Sequence, residues 1–164
     1  MKTLILIRHA KSDWTNAASS DHDRELNTRG KKDAPEMAKR LKDKIEKLDL
    51  VVSSSATRAL ETAKAFAEEF DIKKKDINIQ TNLYHADTET FFKVISSLDT
   101  DAKRVAVFAH NPGITDFVND LTNVHVDDMP TCAMYAIKVD IKDWSEFKNA
   151  EKQFYFFDYP KLKD

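Results

Sequence analysis

The sequence predicts an α/β sandwich of three layers, a mostly parallel central sheet held between helices. Two observations predict it. The strand-length apolar segments TLILI, LVV and RVAVFA run unbroken instead of alternating, as strands do when both faces are covered. Between them lie stretches whose apolar residues recur at three- and four-residue steps, the helical period.

Taken in order, residues 3–7 form the first buried strand. Residues 11–27 are rich in acids, amides and serines and read as a loop. From 28 to 48, Ala34, Met37, Ala38, Leu41, Ile45 and Leu48 mark one face of an amphipathic helix, with Pro35 an irregularity near its first turns. A short strand over 50–53 follows. Ser54 or Ser55 is then expected to cap a helix running to Phe70, with Ala59, Ala63, Phe66 and Phe70 on one face. Residues 76–80 form a weak strand, and Asp87 or Thr88 starts a helix that buries Phe91, Phe92, Ile95 and Leu98. A strong strand at 104–109, a helix near 114–121 and a closing pair of strands at 133–139 and 153–157 complete the chain. The closing pair is the place for antiparallel pairing.

A length of 164 residues favours one domain over 1–164, and surface scaling leaves roughly 8,000 Å² exposed after folding. Twenty-six basic against 28 acidic side chains give a net charge of −2, which argues against a nucleic-acid partner. The longest apolar runs are too short to span a bilayer, and the N-terminal segment lacks a signal-peptide pattern. With Cys132 the one cysteine, these features point to a cytoplasmic protein without a disulfide and without a membrane partner. Cys132 itself reads as a packed, inert thiol, and the aromatic run 154–157 as strand core. His22 and His125 have no partner at metal-ligand spacing, so neither a metal nor a cofactor is expected.

In open α/β sheets, ligands bind beyond the carboxyl ends of the strands. Arg8 and His9 follow the first strand, Ser53, Ser54 and Ser55 with Arg58 follow the second, and His110 follows the strand at 104–109. Arg24 lies in the loop that crosses the same edge. Arginine forks match phosphate oxygens, and the helix start at Ser54 and Ser55 adds unpaired N–H groups. A neutral imidazole is a nucleophile for phosphorus, and neighbouring arginines keep it neutral. One of the two histidines can therefore attack while the other donates to the transferring oxygens.

The segments Arg8-His9-Ala10, SSATRALET at 54–62 and Ala109-His110-Asn111-Pro112-Gly113 resemble the signatures of the histidine phosphatase (phosphoglycerate-mutase-like) superfamily, and most of all its short SixA-type phosphohistidine phosphatases. Arg24-Glu25-Leu26-Asn27-Thr28-Arg29-Gly30, Leu83-Tyr84-His85-Ala86 and Met129-Pro130-Thr131 support the likeness, which runs to Tyr159-Pro160-Lys161. The resemblance implies a phosphoglycerate-mutase-like fold, His9 as the phospho-accepting nucleophile, and Arg8, Arg58 and His110 around the phosphate. It also implies Arg24 as an added phosphate or substrate ligand; Ser54 and Ser55 at the helix start, and Asn111, complete the expected binding set. Two departures stand out: Ala10 replaces the usual glycine, and the proton-donating glutamate of many relatives is not evident. His85 stands about where that glutamate would fall and is the candidate donor, with Asp87 and Asp21 also near.

The expected function is a metal-independent phosphatase acting on phosphohistidine, or another phosphorylated side chain, of a protein. The short connection 70–91 leaves room for only a minimal lid, and an open pocket suits a protein substrate. The alternatives are a small-molecule phosphomonoesterase or mutase, and an adaptor that binds phosphate without turnover.

Overall fold

The computed structural model describes residues 1–16 and 19–162. Its strands are β1 (Lys2–Arg8), β2 (Leu50–Ser53), β3 (Asn78–Ile79), β4 (Arg104–Ala109), β5 (Met134–Val139) and β6 (Lys152–Asp158). Its helices are α1 (Thr28–Ile45), α2 (Thr57–Glu69), α3 (Thr88–Ser96) and α4 (Gly113–Asn119). The sheet order is β3-β2-β4-β1-β5-β6. β3, β2, β4 and β1 run parallel, whereas β5 pairs antiparallel with both β1 and β6.

The period-2 alternation of side chains divides the core into two layers. Leu4 and Leu6 of β1 join Val105 and Val107 of β4 under α3, α4 and the buried Trp144 and Phe147. Ile5 and Ile7 join Ala106 and Phe108 on the opposite face, under α1 and α2. The three-layer sandwich expected from the sequence is the observed architecture, and 8675 Å² of surface stays accessible.

Several boundaries differ from those expected, each for a local reason. α1 stops at Ile45 because Glu46 takes a positive φ of 62°, although Leu48 still reaches the core. Pro35 lies well inside α1 and does not end it. The strand expected at 76–80 shrinks to Asn78–Ile79, since a 3₁₀ turn consumes Lys74–Asp76. Neither Ser54 nor Ser55 caps α2: Ala56 is the N-cap and offers no side-chain bond. The Ser54 hydroxyl instead accepts from the Ala56 N–H and turns toward His110. Phe92 is only half-buried, while Phe91 is fully enclosed.

Both glycines of the chain hold elements together at close range. A Cβ on Gly30 would lie 2.1 Å from the Lys11 carbonyl oxygen, and one on Gly113 would lie 2.0 Å from that of Ala86. Gly30 thus lets α1 press against the chain leaving β1, and Gly113 lets α4 press against the segment that carries Tyr84 and His85.

Candidate active site

Strand register places the polar residues. Arg8 lies opposite Ala109 across the β1–β4 ladder, so the next residue of each strand, His9 and His110, emerges at the same edge. Their ring centroids are 5.2 Å apart. On the other flank of β4, Ser53 lies opposite Phe108, which brings the Ser54 hydroxyl within 2.7 Å of His110 Nε2. α2 then carries Arg58 back over the edge, where its Nε donates to His9 Nε2 at 3.4 Å.

His9 Nδ1 lies 2.7 Å from the Ala10 carbonyl, which can only accept. The ring proton therefore sits on Nδ1, and Nε2 keeps its lone pair facing Arg58. Burial first, then the nearby Arg58, Arg8 and Arg24 charges, push the His9 pKa down to about 3. Burial, His9 and Arg58 lower that of His110 to about 2. The sequence points to the arginines as the source of this depression; loss of solvent is the larger cause. Both rings are neutral at pH 7.

One cavity of about 470 Å³ collects Arg8, His9, Arg24, Arg58, His110 and Asn111, with His85 and Tyr84 on its wall. Arg8 Nη1 donates to the Met129 carbonyl at 2.8 Å, and Arg24 Nη1 donates to Ser12 at 2.9 Å. Arg8 Nε, Arg24 Nε and His110 Nδ1 are buried with no hydrogen-bond partner, and all three residues border this cavity. Unpaired buried nitrogens are costly, so their clustering marks a place built for an acceptor-rich ligand.

Other expected residues sit differently. Ser55 does not line the cavity; its hydroxyl pairs with His22 Nε2 at 3.0 Å. Asn111 faces the cavity but gives its amide protons to Asp128 and the Met129 carbonyl, while its carbonyl accepts from Thr115. It braces the loop at 128–129 instead of presenting free donors. His85 is exposed at the rim, its ring 4.0 Å from that of Tyr84. Asp87 caps α3 through the Thr90 N–H. Cys132 is buried beside β1, its N–H donating to the Arg8 and His9 carbonyls, and burial pushes its thiol pKa up. Among the described residues, no group of three or more His, Cys, Asp or Glu is arranged to hold a metal, and no helix is long and apolar enough to cross a membrane.

Three contributors carry little or no signal in the sequence. Asp21 accepts from Arg24 Nη2 at 3.0 Å, from Arg58 Nη2 at 3.2 Å and from the Tyr84 hydroxyl. The Tyr84 bond, then Arg58 and Arg24, hold its carboxyl below the ordinary range. Arg58 stands in the first turn of α2, where a cation opposes the helix dipole, and Asp21 supplies the compensating anion. Thr62 accepts from the Ala10 N–H at 2.9 Å and donates to the Arg58 carbonyl at 2.8 Å, tying the loop after β1 to α2. Trp14 stacks 3.5 Å from the Arg24 guanidinium and is 77% exposed at the mouth.

The arrangement is similar to known proteins in sequence and in shape. The model of the histidine phosphatase superfamily (branch 1) matches residues 4–87. An uncharacterised chloroplastic protein of Arabidopsis thaliana is 28% identical over 153 residues, covering 88% of this chain and 70% of that protein. The structure assigned as phosphohistidine phosphatase SixA of Agrobacterium tumefaciens superposes with a TM-score of 0.80 at 25% identity, over 97% of this chain and 98% of that one. A mycobacterial glucosyl-3-phosphoglycerate phosphatase shares the fold, with a TM-score of 0.70 at 15% identity over 95% and 98% of the two chains. The chain belongs to the histidine phosphatase superfamily and is SixA-like within it.

Proposed function

We propose that the protein is a phosphatase that removes the phosphoryl group from phosphohistidine on a protein. His9 Nε2 attacks phosphorus and the P–N bond to the substrate imidazole breaks, leaving the phosphoryl group on His9. Water then attacks the same phosphorus, the P–Nε2 bond breaks, and inorganic phosphate and neutral His9 result. Arg8, Arg24, Arg58 and His110 hold the transferring oxygens, and such preorganised charge does most to lower the barrier in phosphoryl transfer. Ser54 orients His110 from behind.

One observation carries the choice of substrate. Among the described residues, the pocket surrounds His9 with cations and imidazoles and holds no carboxylic acid free to give up a proton. Asp21 is the acid on its wall and is held ionised, while the His9 and His110 pKa values lie far below neutrality. An alkoxide needs such an acid to leave. An imidazole, with a pKa of about 6.5, takes its proton from solvent and leaves without one. His85, the donor expected from the sequence, lines the exposed rim of the same cavity and has no proton-transfer role in the proposed reaction. The likeness to SixA supports the same reading, as does the short connection 70–91 beside an open pocket. The whole chain acts as one domain in the cytoplasm, in keeping with its single, buried free thiol.

The test is mass spectrometry of rapidly quenched protein after mixing with a phosphohistidine peptide, wild type beside His9→Asn. An acid-labile phosphoryl adduct and phosphate release are expected for wild type alone. Peptide binding without adduct or release would replace this reading with that of an adaptor. Faster turnover of an alkyl phosphate than of the phosphohistidine peptide would move the substrate to small phosphomonoesters.

A further inference from the structure

A second cavity, of about 220 Å³, shares Lys11 and Thr131 with the phosphoryl pocket and adds Arg29, Asp33, Tyr159 and Lys161. Three cations line it. Its one acid, Asp33, is buried and paired with Arg29 through Nε at 3.1 Å. Asp33 balances Arg29, while the Lys11 and Lys161 ammonium groups have no side-chain partner among the described residues, so the cavity carries net positive charge beside the place where phosphate is expected. Through a different wall, formed by Tyr84, His85, His110 and Asn111, the pocket adjoins a third cavity that adds Asp87 and Asp116. The surroundings of the phosphoryl site are thus polar in the electrical sense, positive past Lys11 and negative past His85.

We propose that the cavity of Lys11, Arg29 and Lys161 is a subsite for an acidic side chain of the phosphoprotein. It lies a few residues to one side of the phosphorylated residue and so fixes the direction in which the substrate segment binds. This deepens the proposed function and rests on its reading of a protein substrate. Lys11 is two residues from His9, at most about 7 Å along the chain, which sets the acid roughly two to four residues from the phosphoryl group in an extended segment. The same carboxylate on the other side of the phosphorylated residue meets Asp87 and Asp116 and is repelled.

The test compares phosphohistidine peptides carrying Glu three residues before, or three residues after, the phosphorylated position, each against its Gln counterpart, with phosphoramidate as a substrate too small to reach the cavity. One Glu peptide is expected to show kcat/KM about fivefold above its Gln control, the size that a few exposed charge pairs supply. The other shows no gain or a loss. Lys161 is exposed, so Lys161→Glu preserves the fold; it should abolish the preference and leave phosphoramidate turnover unchanged. Equal rates for Glu and Gln peptides in wild type overturn the subsite alone. So does a Lys161→Glu loss that falls equally on Glu and Gln peptides. Turnover of phosphoramidate with none of the peptides overturns the protein-substrate reading, and the subsite falls with it.

Discussion

The neutrality of the two pocket histidines makes stability depend on pH in a calculable way. In the folded protein His9 takes up a proton only near pH 3 and His110 only near pH 2, whereas either does so near 6.5 once unfolded. The unfolded chain binds more protons between these limits, so stability rises with pH. It is fully present above about pH 6.5 and is lost as pH falls toward 3. At pH 5 each histidine has forfeited about 2 kcal/mol, and the pair about 4 kcal/mol, a large share of the stability of a domain this size. The depressed Asp21 carboxyl acts in the same direction but below about pH 4, so the window from pH 7 to 5 belongs to the imidazoles. Urea unfolding at pH 7, 6 and 5 reads the slope directly. His9→Asn and His110→Asn should each flatten it by about half, and the double variant should remove it. A double variant that loses stability as steeply as wild type refutes the burial of neutral rings as its origin.

Three further outcomes follow from the geometry. Arg58→Ala should lower kcat/KM by about 10²–10³-fold, and Arg58→Lys should restore only a small part, since an ammonium lacks the fork that spans His9 and the phosphoryl oxygens; steady-state kinetics decide it, and full rescue by lysine is the contrary result. Asp21→Asn removes an anion that competes for Arg24 and Arg58, so calorimetry should find inorganic phosphate bound about tenfold more tightly; weaker binding would make Asp21 a support of the arginines instead. Gly113→Ala forces the Ala86 carbonyl aside and should cost about 2 kcal/mol, read as a melting temperature several degrees lower, and an unchanged transition contradicts the close approach.

What is legible in the sequence is whatever two-sided burial writes into it. β1, β2 and β4 are continuous apolar runs because both faces are covered, and His9, Ser54 and His110 follow from where those runs end. Strand adjacency, which no single run reveals, is what sets the two imidazoles side by side. Asp21 is legible as an acid near the site but not in its role: it is one acid in a polar loop, and only the fold turns it toward Arg24, Arg58 and Tyr84. Ser55 misleads because serine at a helix start usually caps it, whereas the cap here falls one residue later, on Ala56. Asn111 sits in the segment that marks the site, yet its hydrogen bonds are committed to Asp128, Met129 and Thr115. Thr62 leaves no periodic signal because its job is a pair of bonds between Ala10 and Arg58.

On the proposed mechanism, the burial that keeps His9 neutral also removes the means of protonating a leaving group. A ring whose pKa is held near 3 keeps its lone pair at neutral pH and has no proton to lend; His110, lower still, cannot serve in its place. Asp21 is ionised by the same cations that would grip the phosphate. The leaving group must then depart on its own basicity, and the rate must track it. Across a series of aryl phosphates, log kcat/KM should fall steeply as the pKa of the leaving phenol rises, and phosphoramidates should lie well above the line because their nitrogen takes its proton before it departs. A flat dependence on leaving-group pKa would mean that a proton is delivered in the transition state. His85→Ala would then identify the donor: if it makes the plot steep, the rim histidine supplies the proton and the site is equipped for ordinary phosphate esters.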